Sequence, residues 1–512
     1  MKKLSLLLIS LGLCFTSGIQ ATNLTHAYSA AQQSDPTYQG AEAAYKAQHA
    51  TLGEARGALL PNLGLTGSWM HANTDVNTQA NFNDPGSPAG NTNVTTPANT
   101  LAYTLTLSQP LFNWEAFAAY DQIKATVKEA AATYAAATQD LISRVASAYF
   151  AVLQSQEVLR YTDAQKQALA RQLDVAKQRY DVGLDPVTSV YDAQAQYDST
   201  VAMYIANEND LANKKEALRE ITGSLYPNLA RLKDDFPLLQ PEPANIDQWT
   251  QLAEQQNTSL LAQRYAAEAA EKNVKVKSAQ HLPTLSLDGT YSSSDKTLTN
   301  VHASQTVSGP AYGVGLTLPI YSGGSVDAQT EQAQYQYQGA IALLEFTHRQ
   351  VMANTRIAYL SVLAEISQIE ADRQAIKSAT AALASNEAGY KVGTQTIVDV
   401  LNAQTALYLA QTNYAKDRYA YVLNTLALKE AAGTLNANDV IQINAWLTDA
   451  PWTVPAQAKT PVATHAKKVT HHAVKKPAVH KHVTHKQPVK KPVVKKVAPV
   501  AATDETSADL NQ

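Results

Sequence analysis

Side chains able to do covalent or metal chemistry are sparse in this 512-residue sequence, and none falls in a reactive pattern. There is no phosphate-cradling glycine loop, no His-Glu-x-x-His helix and no nucleophile elbow, so no enzyme is expected. The one cysteine is Cys14, near the start, which leaves the rest of the chain without disulfides or thiolate metal sites. Of the 12 histidines, six lie between residues 459 and 500. His471, His472, His480 and His482 have the wrong spacing for an ordered zinc site, although loose zinc or nickel binding is open to them. No metal site and no cofactor is expected. What remains is polar chemistry around two glycine turns, Val182-Gly183-Leu184-Asp185-Pro186 and Val392-Gly393-Thr394-Gln395-Thr396, with Asp192 and Asp399 a few residues further on.

Those turns belong to a chain written twice. Leu59-Leu60-Pro61-Asn62-Leu63-Gly64-Leu65 returns as His281-Leu282-Pro283-Thr284-Leu285-Ser286-Leu287, and Leu105–Phe112 returns as Val314–Tyr321. Tyr180-Asp181-Val182-Gly183 returns as Tyr390-Lys391-Val392-Gly393. The offsets, 222, 209 and 210 residues, are nearly constant, the mark of a structural repeat. The first repeat spans 22–222, with helices expected at about 30–58, 116–182 and 187–222 and strands at about 62–73 and 101–110. The second spans 258–432, with helices at about 258–281, 326–390 and 396–432 and strands at about 284–293 and 312–320. Segments 223–257 and 433–455 read as a linker and equatorial pieces.

The strands alternate. Leu101, Tyr103, Leu105 and Leu107 share one face while Ala102, Thr104, Thr106 and Ser108 share the other, and Tyr312, Val314, Leu316 and Leu318 repeat the pattern. An oily face backed by a small polar one suits a strand between lipid and a watery lumen. A half-buried soluble sheet shows the same alternation. Trp69, Tyr103, Tyr291 and Tyr312 fall where an interfacial aromatic belt would stand. Four strands per chain are too few for a barrel of about eight or more, so several copies must share one. Sequence logic permits two, three or more.

The helices are long. Residues 113–182 contain neither proline nor glycine, and a 65-residue helix reaches roughly 100 Å. Leu159, Lys166, Leu173 and Tyr180 recur every seven residues, as do Ile369, Ile376, Leu383 and Tyr390. That period winds helices into a left-handed supercoil. The two shorter helices of each repeat together nearly match the long one, so they are expected to stack end to end along it.

The ends have different characters. Residues 1–21 read as a secretory signal: Lys2 and Lys3, an apolar run from Leu4 to Phe15, and Ala21 as cleavage point. Residues 456–512 form a Lys/His/Pro-rich tail that cannot bury a core and is expected to be disordered. The formal net charge of −3 conceals 28 basic against 41 acidic residues over 22–450, offset by eleven lysines between 459 and 500. A solvated extension and an arm for anionic cell-wall or lipid surfaces both fit. Nucleic acid is not an expected partner of an exported protein.

With this grammar in place, several segments carry a specific likeness. Glu387-Ala388-Gly389-Tyr390-Lys391-Val392-Gly393-Thr394, Thr396-Ile397-Val398-Asp399-Val400-Leu401, Tyr161–Lys166 and Ala195-Gln196-Tyr197-Asp198 resemble the TolC family of outer-membrane efflux proteins, over roughly residues 22–445. The resemblance implies an α+β membrane protein. Each chain of a homotrimer gives four β-strands to a shared 12-stranded barrel, continued by a long periplasmic α-helical coiled-coil barrel. It implies a passive exit channel of a tripartite efflux or type I secretion system. Its partners would be a periplasmic membrane-fusion adaptor, an inner-membrane pump of RND, ABC or MFS type, and outer-membrane lipid.

The resemblance also assigns residues. The tip turns would be Gly183, Pro186 and Gly393, and the periplasmic gate Thr188, Ser189, Tyr390 and Gln395. Asp192 and Asp399 would line an acidic entrance ring, which favours cations; ordinary solvated aspartates are the plainer reading. The chain departs from the family at four places: Asn402 and Ser189 stand where the pattern has aspartates, Asp192 where it has an asparagine, and Gln395 where it has an arginine, so one carboxylate has moved between repeats. A gate held by hydrogen bonds among Thr188, Ser189, Tyr390 and Gln395, without that salt bridge, is expected to respond little to salt. The rival class is a coiled-coil structural or surface-receptor protein of the outer membrane.

Overall fold

The structure, a computed structural model, describes residues 21–78, 92–298 and 303–450. The expected leader (all but Ala21), the tail at 456–512 and the centres of both interstrand loops lie outside the described residues. Along the chain run α1 (Leu24–Ser34), α2 (Pro36–Gly57), β1 (Asn62–Thr78), β2 (Thr92–Phe112), α3 (Trp114–Asp181), α4 (Val187–Thr222), β3 (Arg231–Leu232) and α5 (Ile246–Gln256). There follow α6 (Thr258–Ser278), β4 (Thr284–Leu298), β5 (Ala303–Thr317), α7 (Ser325–Val392), α8 (Ile397–Ala431), α9 (Ala437–Asn444) and β6 (Leu447–Thr448).

The helix–strand–strand–long helix–helix order occurs twice, as α2-β1-β2-α3-α4 and α6-β4-β5-α7-α8. Both α3 and α7 have 68 residues, about 100 Å at helical rise. Some boundaries differ from the expected ones. The first helix breaks at Asp35, whose carboxylate accepts from the backbone N–H groups of Thr37 (2.7 Å) and Tyr38 (3.3 Å), with Pro36 opening the next helix. An Asp-Pro pair is a start signal, and here it starts α2 inside what hydrophobic spacing reads as one helix. The strands run on past their oily segments into Thr, Asn and Ser, because ladder hydrogen bonds need no apolar face. β5 stops at Thr317, short of the expected 320, before Pro319, which has no N–H for the ladder.

The four long strands form one antiparallel sheet in the order β1-β2-β4-β5. The register sets Leu63, Leu107, Gly289 and Tyr312 in one row and Leu65, Leu105, Tyr291 and Pro310 in another on the same face. The alternate row, Asn62, Ser108, Asp288 and Gly313, is small and polar. Among the described residues, nothing covers the oily face: Leu65 is 72% exposed and Tyr312 89%. The oily segment begins at Leu63 on β1 and at Leu285 on β4, yet the ladder sets Leu63 level with Gly289, four residues further along. A level apolar belt therefore requires tilted strands, the geometry of a barrel wall. Among the described residues, nothing pairs with the outer edges of β1 and β5.

Below the sheet, α2 and α4 line α3, α6 and α8 line α7, and α6 and α8 also touch α3. The expected stacking of two short helices along each long one is observed. The seven-residue spacing is also present, in a shifted register. Thr162, Leu169 and Ala176 are buried together with Leu173, whereas Tyr180 is 46% exposed. The main core lies at mid-length, where Leu141, Val145, Tyr149, Phe150 and Leu153 of α3 meet the β3–β6 ribbon and α9. The Tyr149 hydroxyl bonds the carbonyls of Thr22 (2.9 Å) and Ala230 (2.8 Å), tying the N-terminal segment and the linker to α3. No helix among the described residues is long and apolar enough to cross a membrane.

Candidate functional site

The two glycine turns close the far ends of the helical hairpins α3–α4 and α7–α8, and their backbones are alike. Gly183 (φ 73°) and Gly393 (φ 79°) take the left-handed conformation that glycine adopts without a Cβ penalty. Gly183 N–H donates to Tyr180 O (2.9 Å) and Leu184 N–H to Arg179 O (2.8 Å); Gly393 and Thr394 repeat this with Tyr390 O (3.2 Å) and Gly389 O (2.9 Å). These paired bonds are a Schellman closure, which satisfies the last carbonyls of each long helix. Pro186 takes the N-cap position of α4 rather than its first helical turn. Thr396 caps α8 in a reciprocal box: its hydroxyl accepts from Asp399 N–H (3.3 Å), and Asp399 Oδ2 accepts from Thr396 N–H (2.8 Å).

Above the turns an apolar plug joins the hairpins: Leu169, Leu173, Ala176, Ala193, Tyr390, Ile397, Val400 and Leu401. Tyr390 carries a polar bond across it. Its hydroxyl donates to Asp185 Oδ2 at 2.5 Å, from the last turn of α7 to the turn between α3 and α4. Asp185 also accepts from Arg179, at 3.0 Å from Nε to Oδ2 and 3.3 Å from Nη2 to Oδ1. The Arg179 guanidinium lies 4.6 Å from the centre of the Tyr390 ring. Arg179, and after it Tyr390, hold the Asp185 carboxyl below its ordinary value. Burial first, then the neighbouring Asp185, pushes the Tyr390 hydroxyl up to about 12.

The residues expected at the gate are near one another in the fold, but their bonds differ from those expected. Tyr390 is buried (4% exposed) and bonds Asp185, not Thr188, Ser189 or Gln395. Ser189 is buried and its N–H donates to Pro186 O at 3.0 Å; Thr188 and Gln395 are exposed. The Gln395 side chain folds over Gly389, where a Cβ would come 2.6 Å from its Cγ. The tip does contain an ion pair, away from positions 189 and 395 where the family's would stand: Arg179 pairs with Asp185, an acid in the turn itself. Its signal was legible. An arginine in the last turn of a helix and an aspartate two residues past the glycine are folded together by a Schellman closure.

Of the two expected entrance carboxylates, Asp192 is exposed on α4. Asp399 is engaged as a helix cap, and the Thr396 hydroxyl and N–H hold its carboxyl below the usual range, so it carries its charge. No group of three or more His, Cys, Asp or Glu suited to a metal ion occurs among the described residues.

This geometry has counterparts. The family model described as outer membrane efflux protein matches residues 27–224 and 249–434, one match per repeat. The chain is 39% identical over 463 residues to outer membrane protein TolC of Escherichia coli, covering 87% of this chain and 89% of that protein. It is 30% identical over 355 residues to the proteases secretion protein PrtF of Dickeya chrysanthemi, covering 68% and 76%. Its fold matches the CmeC outer membrane channel of Campylobacter jejuni with a TM-score of 0.69 at 18% identity, over 83% of this chain and 89% of that one.

Proposed function

Because this chain belongs to the outer membrane efflux protein family, we propose that it is the outer-membrane exit channel of a tripartite efflux or type I secretion system. It passes drugs, small molecules or secreted proteins outward from the periplasm and performs no chemistry on them. The observation that carries the reading is the junction of two features in one chain. An open-edged sheet with an uncovered oily face leads directly into two helices of 68 residues. In lipid the free edges of β1 and β5 must be paired. The edge of one copy closes on the next, and three copies give a barrel of twelve strands lying in the cell outer membrane. The helices then form a periplasmic tube that ends at the glycine turns.

At that end Val182, Leu184 and Val392 are 65% to 75% exposed. Apolar side chains at a helical tip suit docking of a periplasmic membrane-fusion adaptor, itself bound to an inner-membrane pump of RND, ABC or MFS type. Asp192 and Asp399 make the entrance acidic and favour cations there. The test is cellular. A strain lacking this gene should accumulate a fluorescent pump substrate or fail to secrete its type I cargo, and the intact chain should restore export. Normal export without the gene would favour the structural or surface-receptor alternative instead.

A further inference from the structure

We propose that the barrel carries its own pair of opposed charge rings, Asp288 at its helical end and Lys296 at its outer end, and that their order lets current pass more easily when cations move outward. The proposal rests on the exit-channel reading and deepens it, since these rings are separate from the aspartates proposed for the entrance. The register lays out the small polar face of the sheet from end to end. Among the described residues, Asp288 and Lys296 are the only charged side chains on that face. Elsewhere it is mostly Gly, Ala, Ser and Thr, as in the row Thr66, Thr104, Ser292 and Gly309. A twelve-stranded barrel is wider than one that side chains fill, and side chains this small leave it open to water.

Asp288 is built into its place, four residues into β4. Its Oδ2 accepts from the Ser286 hydroxyl at 2.6 Å, and its Oδ1 accepts from the Ser108 hydroxyl of the neighbouring strand at 2.7 Å. On the other flank, β5 sets Gly313 opposite the carboxylate. A Cβ at Gly315 would come 3.1 Å from the Ser286 hydroxyl and 3.6 Å from Asp288 Oδ2. Hydroxyls hold the carboxylate and glycines keep side chains off it, so its charge faces the lumen. Lys296 is exposed and stands near the loop end of the same strand. The two are separated by about 26 Å of strand, or about 20 Å along the axis of a barrel with the usual tilt.

Three copies turn each residue into a ring. A ring of carboxylates gathers cations and a ring of ammonium groups gathers anions. With the helical side positive, cations enter through the Asp288 ring and anions through the Lys296 ring. Both crowd the span between the rings, and conductance is high. With the voltage reversed, each ion must enter through the ring that repels it, and the span empties. The inner face holds one charge of each sign per chain, so it sets a direction and adds little net preference for either ion.

The experiment is current–voltage recording of the purified full-length protein added to one side of a planar bilayer. No helix among the described residues is long and apolar enough to cross lipid, so the helical end stays on the side of addition. Wild type should carry more current with that side positive. The ratio of currents at opposite voltages should fall in D288N/K296Q and fall further in D288K/K296D. These differences should widen from about 1 M salt, with a Debye length of about 3 Å, to about 0.01 M, where it is about 30 Å. A cysteine variant tests the charge in a channel already folded and inserted. Because Cys14 is the only cysteine, an anionic methanethiosulfonate reagent should return D288C to the wild-type ratio, and a cationic one should move it the other way. Equal ratios in wild type and both double variants, a larger wild-type current with the helical side negative, or a D288C channel indifferent to both reagents would overturn the proposal. Absence of current from wild type and every variant would overturn the exit-channel reading with it.

Discussion

Most ionic residues among those described are solvated, and a few are buried. Arg418 and Glu157 are 2% and 1% exposed, with Nη1 to Oε1 at 3.4 Å, and Arg418 Nη2 also donates to Lys233 O at 2.7 Å. The guanidinium lies near the rings of Phe236 and Tyr414. Burial pushes the Glu157 carboxyl up, and Arg418 opposes the shift. Removing one member of a buried pair strands the other, at a cost of about 3–5 kcal/mol. R418A should lower the unfolding free energy from a denaturant titration by that much, whereas E157L/R418M should cost far less; equal losses would contradict the account. This network was not legible in the sequence, because Glu157 and Arg418 are 261 positions apart. Asp185 could have been read at this scale, since its partner Arg179 is local, but the family pattern directed the reading to Ser189.

At the scale of elements, the repeat and the alternation carried the fold. Three short matches at nearly constant offset located both hairpins, and the odd positions of Leu63–Trp69 and Leu101–Leu107 located the oily face. What spacing missed were features set by single residues against a periodic background: the break at Asp35, the end of β5 before Pro319, and the shifted seam of α3. That seam buries Thr162 and Gln165 beside Leu169, so polar residues occupy positions that a hydrophobic pattern leaves out. The α7–α8 hairpin carries a further expectation. Burial first, then the neighbouring Asp372 and Glu365, hold the Asp417 carboxyl up at about 6, with Lys416 working against them. The folded value lies above the ordinary 3.8, so the proton favours the folded hairpin. Its stabilising effect is complete below about pH 4 and fades as pH rises through about 6. Thermal midpoints measured from pH 4.5 to 7.5 should fall across that window in the wild type and more shallowly in D417N. Parallel curves would remove Asp417 from the account. Asp35 and Asp185, held low by their arginines, act at lower pH and do not mask it.

The whole molecule makes sense only in several copies. One chain exposes an oily sheet face and two unpaired strand edges, features that are liabilities in water and interfaces in a shared barrel. Residues 22–450 are acidic, while eleven lysines fall between 459 and 500 in the sequence. In the proposed channel, Asp192 and Asp399 would carry that acidic character to the entrance. The most direct test of a gated, cation-preferring exit channel is the reversal potential of the purified full-length protein in a planar bilayer under a potassium chloride gradient. The account predicts discrete pores whose reversal potential lies toward that of the cation, and a shift toward zero in D192N/D399N with the pore still conducting. A protein that inserts yet carries no current, or a wild-type pore that prefers chloride, would contradict it.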